Sequence, residues 1–170
     1  FTGAAYRAHD PQWSFLPTSG EGARLKGGRF NEKGVPALYL ALDFNTAVLE
    51  ANQGFAYKIL PTLLCSYDVD CADIVDLTSP AERSREKITL DQMGCAWFDL
   101  MTKGEIPPSW EFSKRLRAAG AAGIVVPSYV VHAPSNARNI VLWDWSDTLP
   151  HRINVIDPKT QLPKDRKSWQ

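Results

Sequence analysis

The apolar runs of this chain are short and irregularly spaced, and this constrains its fold more than any other feature. Leu38-Tyr39-Leu40-Ala41, Gly123-Ile124-Val125-Val126 and the stretch from Ile140 to Trp145 are each the length of one strand. Leu63 to Val69, Ile74 to Leu77 and Ile153 to Ile156 read as further strands, and a short one is expected around Ala4–Ala8. Helical patterns fall between them without rhythm. Asn45 or Thr46 is expected to cap a helix running to about Gln53 and closed by Gly54. Ser79-Pro80-Ala81-Glu82 has the form of a capping box with proline at the first helical position, opening a helix toward Lys87. Trp97, Phe98, Leu100 and Met101 suggest another helix. Ser109 is expected to cap one more, with Phe112, Leu116 and Ala119 on one face and Gly120 at its end. Strands and short helices without a regular βαβ alternation favour an α+β fold with a mixed sheet and short flanking helices.

Between Tyr6 and Gly34 the chain is rich in glycine, proline and polar residues, and it reads as a long loop with a turn or short strand at Gly27–Asn31. Long loops inside compact domains are often functional. From Pro158 the chain is polar and charged, so one domain over residues 1–157 and a weakly ordered tail over 158–170 are expected.

Composition narrows the function. The 170 residues are 44% hydrophobic and 22% charged, enough for a packed core. Nineteen basic residues balance nineteen acidic ones, which argues against binding long stretches of nucleic-acid phosphate. No apolar run approaches the roughly 20 residues of a membrane helix. Cys65, Cys71 and Cys95 are odd in number and lack metal-like spacing. They read as idle thiols in a reducing compartment, so a cytoplasmic location is expected. The phosphate-loop, dinucleotide-binding and HExxH signatures are absent. His9, His132 and His151 show no ligand pattern, and no nucleophile elbow surrounds Ser128, so no metal site and no serine triad is expected.

What remains is a set of polar residues in unusual company. Arg29 follows Gly27-Gly28. It is either a planar fork for phosphate oxygens, beside glycines that let the backbone approach a ligand, or a hairpin arginine paired with a surface acid. Arg7 interrupts an apolar strand, as a binding residue, an exposed strand residue or a structural ion pair. Glu50 lies among Val48, Leu49 and Ala51, either drawn inward as a carboxylate with a task or left on a solvated helix face. Tyr39 fits a core position as well as a pocket. Ser128 follows a buried strand and Pro127, where a side chain reaches a cleft or simply makes a turn.

Taken together these stretches resemble the RES-domain family, the toxin half of bacterial RES–Xre toxin–antitoxin pairs. The resemblance runs through Tyr6-Arg7-Ala8-His9-Asp10-Pro11, Gly27-Gly28-Arg29-Phe30-Asn31, Leu38-Tyr39-Leu40-Ala41 and Thr46-Ala47-Val48-Leu49-Glu50. It continues through Gly120 to Ser128 and Asn139-Ile140-Val141-Leu142. The family often has glycine before the late asparagine, where this chain has Ala137-Arg138.

The resemblance implies an ADP-ribosyltransferase-like fold and an enzyme that breaks the nicotinamide–ribose bond of NAD+. The ADP-ribose would pass to a protein side chain, phosphate or water, with no metal. It also implies an Xre-type helix-turn-helix antitoxin as partner. In that setting Glu50 would stabilise the oxocarbenium-like ribose or hold one of its hydroxyls. Arg7 and Arg29 would hold the pyrophosphate, and Tyr39 would stack on nicotinamide or shape its pocket. Ser128 would bond the ligand or orient Glu50, with Asn139 in a lesser binding role. The rival readings are a catalytically idle module of the same fold and an RNA-directed toxin, the latter disfavoured by zero net charge.

Overall fold

The structure, a computed structural model, describes residues 1–52 and 61–167. Its strands are β1 (Thr2–His9), β2 (Leu38–Ala41), β3 (Leu63–Cys71), β4 (Ile74–Asp76), β5 (Gly123–Pro127), β6 (Arg138–Leu142) and β7 (His151–Val155). They form one mixed sheet in the order β4-β5-β6-β2-β1-β3-β7, in which only the β4–β5 pair is parallel. The helices are α1 (Glu21–Lys26), α2 (Phe44–Ala51), α3 (Pro80–Glu86), α4 (Leu90–Gly94), α5 (Trp97–Thr102) and α6 (Pro108–Ala118). The expected α+β architecture with a mixed sheet and short flanking helices is the observed one.

Two cores follow from the two-residue period of the strands. Ala5, Leu38, Leu40, Cys65, Tyr67 and Ile140 pack on one face. Ile124, Val126 and Val141 point the other way and meet Met93 of α4 and Phe112 and Leu116 of α6. Beyond β7 the chain turns back: the Asp157 carboxylate accepts from the Gln161 and Leu162 amides, and Leu162 packs on the first core. Further on, Arg166 lies 4.1 Å over the Trp13 ring.

Several local expectations are corrected. The loop between β1 and β2 contains α1, which buries no residue and is flanked by Gly20 and Gly27. Asp43, upstream of both expected residues Asn45 and Thr46, caps α2: its carboxylate accepts from the Thr46 amide at 2.9 Å and hydroxyl at 2.6 Å. The expected end of that helix at Gln53–Gly54 lies outside the described residues. Ser109 sits inside α6, fully buried, because Pro108 already occupies the first helical position. Thr89 and Gln92 form a reciprocal capping box that starts α4, which the sequence reading passed over. Strand β6 ends at Leu142, so Trp143 and Trp145 lie beyond it.

Candidate active site

Strand β1 pairs with β3 over eight register positions but meets β2 at one, Tyr6–Ala41. The sheet opens beside that pair. A cavity of about 260 Å³ lies there, lined by Tyr6, Arg7, Ala8 and Ala41 and by Ala47 and Ala51 of α2. A second cavity of about 340 Å³ is lined by Lys26, Gly28, Arg29, Trp97 and Tyr129. Tyr39, Glu50 and Asn139 belong to both, so the two lobes meet at these three side chains.

Glu50 is anchored at this junction. Its Oε1 accepts from Ser128 Oγ at 2.7 Å and from Asn139 Nδ2 at 2.6 Å. The anchors come from the end of β5 and from β6, whose register sets Asn139 opposite Ala41 and Val126. A carboxylate accepting charge-assisted bonds on one oxygen is fixed in orientation. Its Oε2 takes no hydrogen bond from the described residues. It is therefore available as a negatively charged acceptor at the meeting point of the lobes. The Ser128 hydroxyl also accepts from the Val130 amide at 3.3 Å, which leaves its proton for Glu50.

Arg29 belongs to the second lobe. Its Nη1 donates to Cys95 O at 2.6 Å, and its guanidinium lies 4.5 Å over the Tyr129 ring. Burial raises the Tyr129 pKa, while the Arg29 charge opposes that shift. Arg7 lines the first lobe, but by strand alternation its side chain shares the face of Ala5 and His9. Its Nη1 donates to Ser19 O at 3.0 Å and Pro17 O at 3.5 Å, and it has no ion pair among the described residues. Burial without a counter-charge lowers its pKa, partly offset by Tyr67 and Cys65. The two arginines thus line different lobes on either side of Glu50.

Tyr39 has a structural duty that its sequence position did not reveal. Its hydroxyl donates to Asn31 Oδ1 at 2.7 Å and accepts from the Phe30 amide at 3.0 Å. Burial pushes its phenol pKa up. Asn31 is itself fully buried, and its Nδ2 donates to Ala23 O and Val35 O, both at 2.9 Å. The missing side chain of Gly28 serves this cluster: a Cβ there would lie 2.5 Å from Tyr39 Oη and 2.6 Å from Asn31 Oδ1. The close approach expected of that glycine is therefore to the protein itself. Lys26, Trp97 and Tyr129 were missed by sequence reasoning; only Tyr129, next to Ser128, carried a signal.

Among the described residues no group of three or more His, Cys, Asp or Glu is arranged to hold a metal ion, and no helix is long and apolar enough to cross a membrane.

The family model of the RES domain matches residues 4–165, nearly the whole chain. The chain belongs to the RES domain family. This RES domain is 33% identical over 134 residues to proteins named NAD(+) phosphorylase MbcT from Mycobacterium bovis and Mycobacterium tuberculosis. The match covers 65% of this chain and 66%, just under two thirds, of those relatives. In three dimensions the RES domain resembles a chain in the crystal structure of the Mycobacterium tuberculosis MbcT–MbcA toxin–antitoxin complex. The TM-score is 0.66 at 22% identity, covering 92% of this chain and 82% of that one.

Proposed function

We propose that this RES domain cleaves NAD+ at the nicotinamide–ribose bond and passes the ADP-ribose to inorganic phosphate. The observation that carries this reading is the Glu50 carboxylate, anchored by Ser128 and Asn139 where two cavities meet. A dinucleotide is itself bipartite, and the ribose at its scissile bond belongs at such a junction. Nicotinamide departs as a neutral molecule when the C1′–N bond breaks and the ring nitrogen keeps the electron pair. The ribose then carries positive charge, which a preorganised carboxylate stabilises. A phosphate oxygen forms the new bond to C1′, giving nicotinamide and ADP-ribose 1″-phosphate.

Phosphate is the acceptor favoured by the name of the mycobacterial relatives. Transfer to water or to a protein side chain remains a second outcome of the same cleavage. Arg7 and Arg29, one per lobe, supply cationic groups for the pyrophosphate and for the incoming phosphate anion, and Tyr39 shapes the nicotinamide pocket. An enzyme that consumes NAD+ in the cytoplasm endangers its own cell, so the reading includes a bound antitoxin, proposed to be of the Xre helix-turn-helix type. Mass spectrometry of NAD+ incubated with the protein, with and without phosphate, tests the acceptor. ADP-ribose 1″-phosphate formed only with phosphate supports phosphorolysis; free ADP-ribose in both samples points to hydrolysis; no nicotinamide at all makes the domain a binding module.

A further inference from the structure

The turn that carries Arg29 rests on helix α6. Its alternate residues touch that helix. Trp110 Nε1 donates to Gly28 O at 2.7 Å. The Phe30 and Phe112 rings lie 6.0 Å apart between centroids. Arg117 Nη2 reaches both carboxylate oxygens of Glu32, at 2.8 and 2.9 Å. Residues 29 and 31 have their contacts elsewhere: Arg29 on Cys95 and Tyr129, Asn31 on Tyr39.

The Trp110 bond restrains the start of the turn from the α6 side, while the Gly27 amide donates to Ala23 O at 2.8 Å and the Gly28 amide to Asn31 O at 2.9 Å. Among the described residues Gly28 O otherwise accepts only a long 3.4 Å bond from the Asn31 amide. The indole also packs beneath the preceding residue, since a Cβ at Gly27 would lie 3.4 Å from Trp110 Cζ2. Gly27 has φ of +75°, a conformation suited to glycine, so the entry to the turn is fixed on both sides. A peptide plane held at Gly28 fixes where the Arg29 Cα stands and thus where its guanidinium reaches. We propose that Trp110, outside both cavities, is a positioning residue for Arg29, acting through the Gly28 carbonyl. The consequence for NAD+ rests on the function proposed above; the positioning itself does not.

The test replaces Trp110 with benzothienylalanine, which keeps the ring shape and replaces the N–H by sulfur, and in parallel with phenylalanine (Trp110→Phe). Two readouts are taken. The first, without ligand, is the Arg29 Nε–Hε resonance by nuclear magnetic resonance. It is expected to be sharp and distinctly shifted in the native chain and to move toward the averaged position of a free arginine in both variants. The second is NAD+ affinity and turnover in native and Arg29→Ala backgrounds. The loss of one hydrogen bond is expected to weaken NAD+ binding about 5- to 10-fold with kcat within about twofold, and to have no further effect once Arg29 is gone. An unchanged Arg29 resonance in the benzothienyl variant overturns the proposal. So does an equal loss of affinity in both backgrounds, which would make Trp110 a general stabiliser. A native chain that shows the resonance shift on substitution but never binds NAD+ overturns the functional reading alone.

Discussion

Ser128 and Asn139 hold the same oxygen of Glu50: both donate to Oε1, at 2.7 and 2.6 Å, from two neighbouring strands. The other carboxylate oxygen takes no hydrogen bond from the described residues and faces whatever enters the cleft. Because the two donors share one acceptor, Ser128→Ala and Asn139→Ala should each lower kcat by roughly 10- to 100-fold, the value of one hydrogen bond to a charged group. Their combination should cost less than the product of the two. Steady-state kinetics of the three variants checks this; fully multiplicative losses would separate the roles of the two residues.

Arg29 uses one nitrogen on Cys95 O while its plane lies over Tyr129. A lysine has a single nitrogen and no plane, so it cannot keep that stack and still present further donors to an anion. Arg29→Lys should therefore weaken NAD+ turnover nearly as much as Arg29→Ala. Retention of most of the native kcat/KM by the lysine variant would show that charge alone suffices.

Gly28→Ala drives a methyl group to within 2.6 Å of both Tyr39 Oη and Asn31 Oδ1. Both atoms belong to a buried hydrogen-bonded cluster, so relief must break or displace the 2.7 Å bond between them. A loss of about 1–3 kcal/mol in urea unfolding is expected, and a variant as stable as the native chain would show that the turn can shift freely.

Two histidines should shape stability against pH in opposite senses. Burial, together with the Arg7 charge, holds the His9 pKa down at about 4. Its Nε2 contacts Tyr67 Oη, whose proton goes to Pro17 O at 2.9 Å, so neutral His9 carries its proton on Nε2. In the unfolded chain the imidazole takes up a second proton near pH 6.5, so the His9 contribution is whole above about pH 6.5 and fades as pH falls toward 4. His151 behaves the other way. Hydrogen bonds to Asp73 and then Asp144 raise its pKa, so its contribution is whole below its unfolded value and fades as pH rises through the folded one. Urea midpoints across pH 4–9 should lose an alkaline decline in His151→Gln and an acid decline in His9→Phe.

The strands were legible because short apolar runs bounded by glycine and proline leave few alternatives. Helix α1 was not, because it buries no residue and is held by contacts that leave no apolar pattern: the Glu21–Arg24 pair, a 2.8 Å bond from the Gly34 amide to Arg24 O and the Asn31 bond to Ala23 O. Glu50 stood out through its apolar neighbours. That Ser128 and Asn139 would meet on it follows from sheet register, which no local pattern encodes. Arg7 illustrates the opposite case. The two-residue period of β1 already sets its side chain with Ala5 and His9 and away from Tyr6, so the face it takes was within reach of the sequence. The hydroxyl of Tyr39 is engaged by a turn eight residues upstream, and a side chain satisfied by its own fold looks in sequence the same as one waiting for a ligand.

The central claim is that the Glu50 carboxylate drives the departure of nicotinamide. The most direct measurement is nicotinamide release in a single turnover by native protein and by Glu50→Gln, with folding of both checked by thermal unfolding. The substitution keeps size and removes charge. The account predicts a folded variant whose release rate falls by about 10²–10³ while NAD+ affinity changes far less. Release at the native rate by a folded Glu50→Gln protein would contradict it.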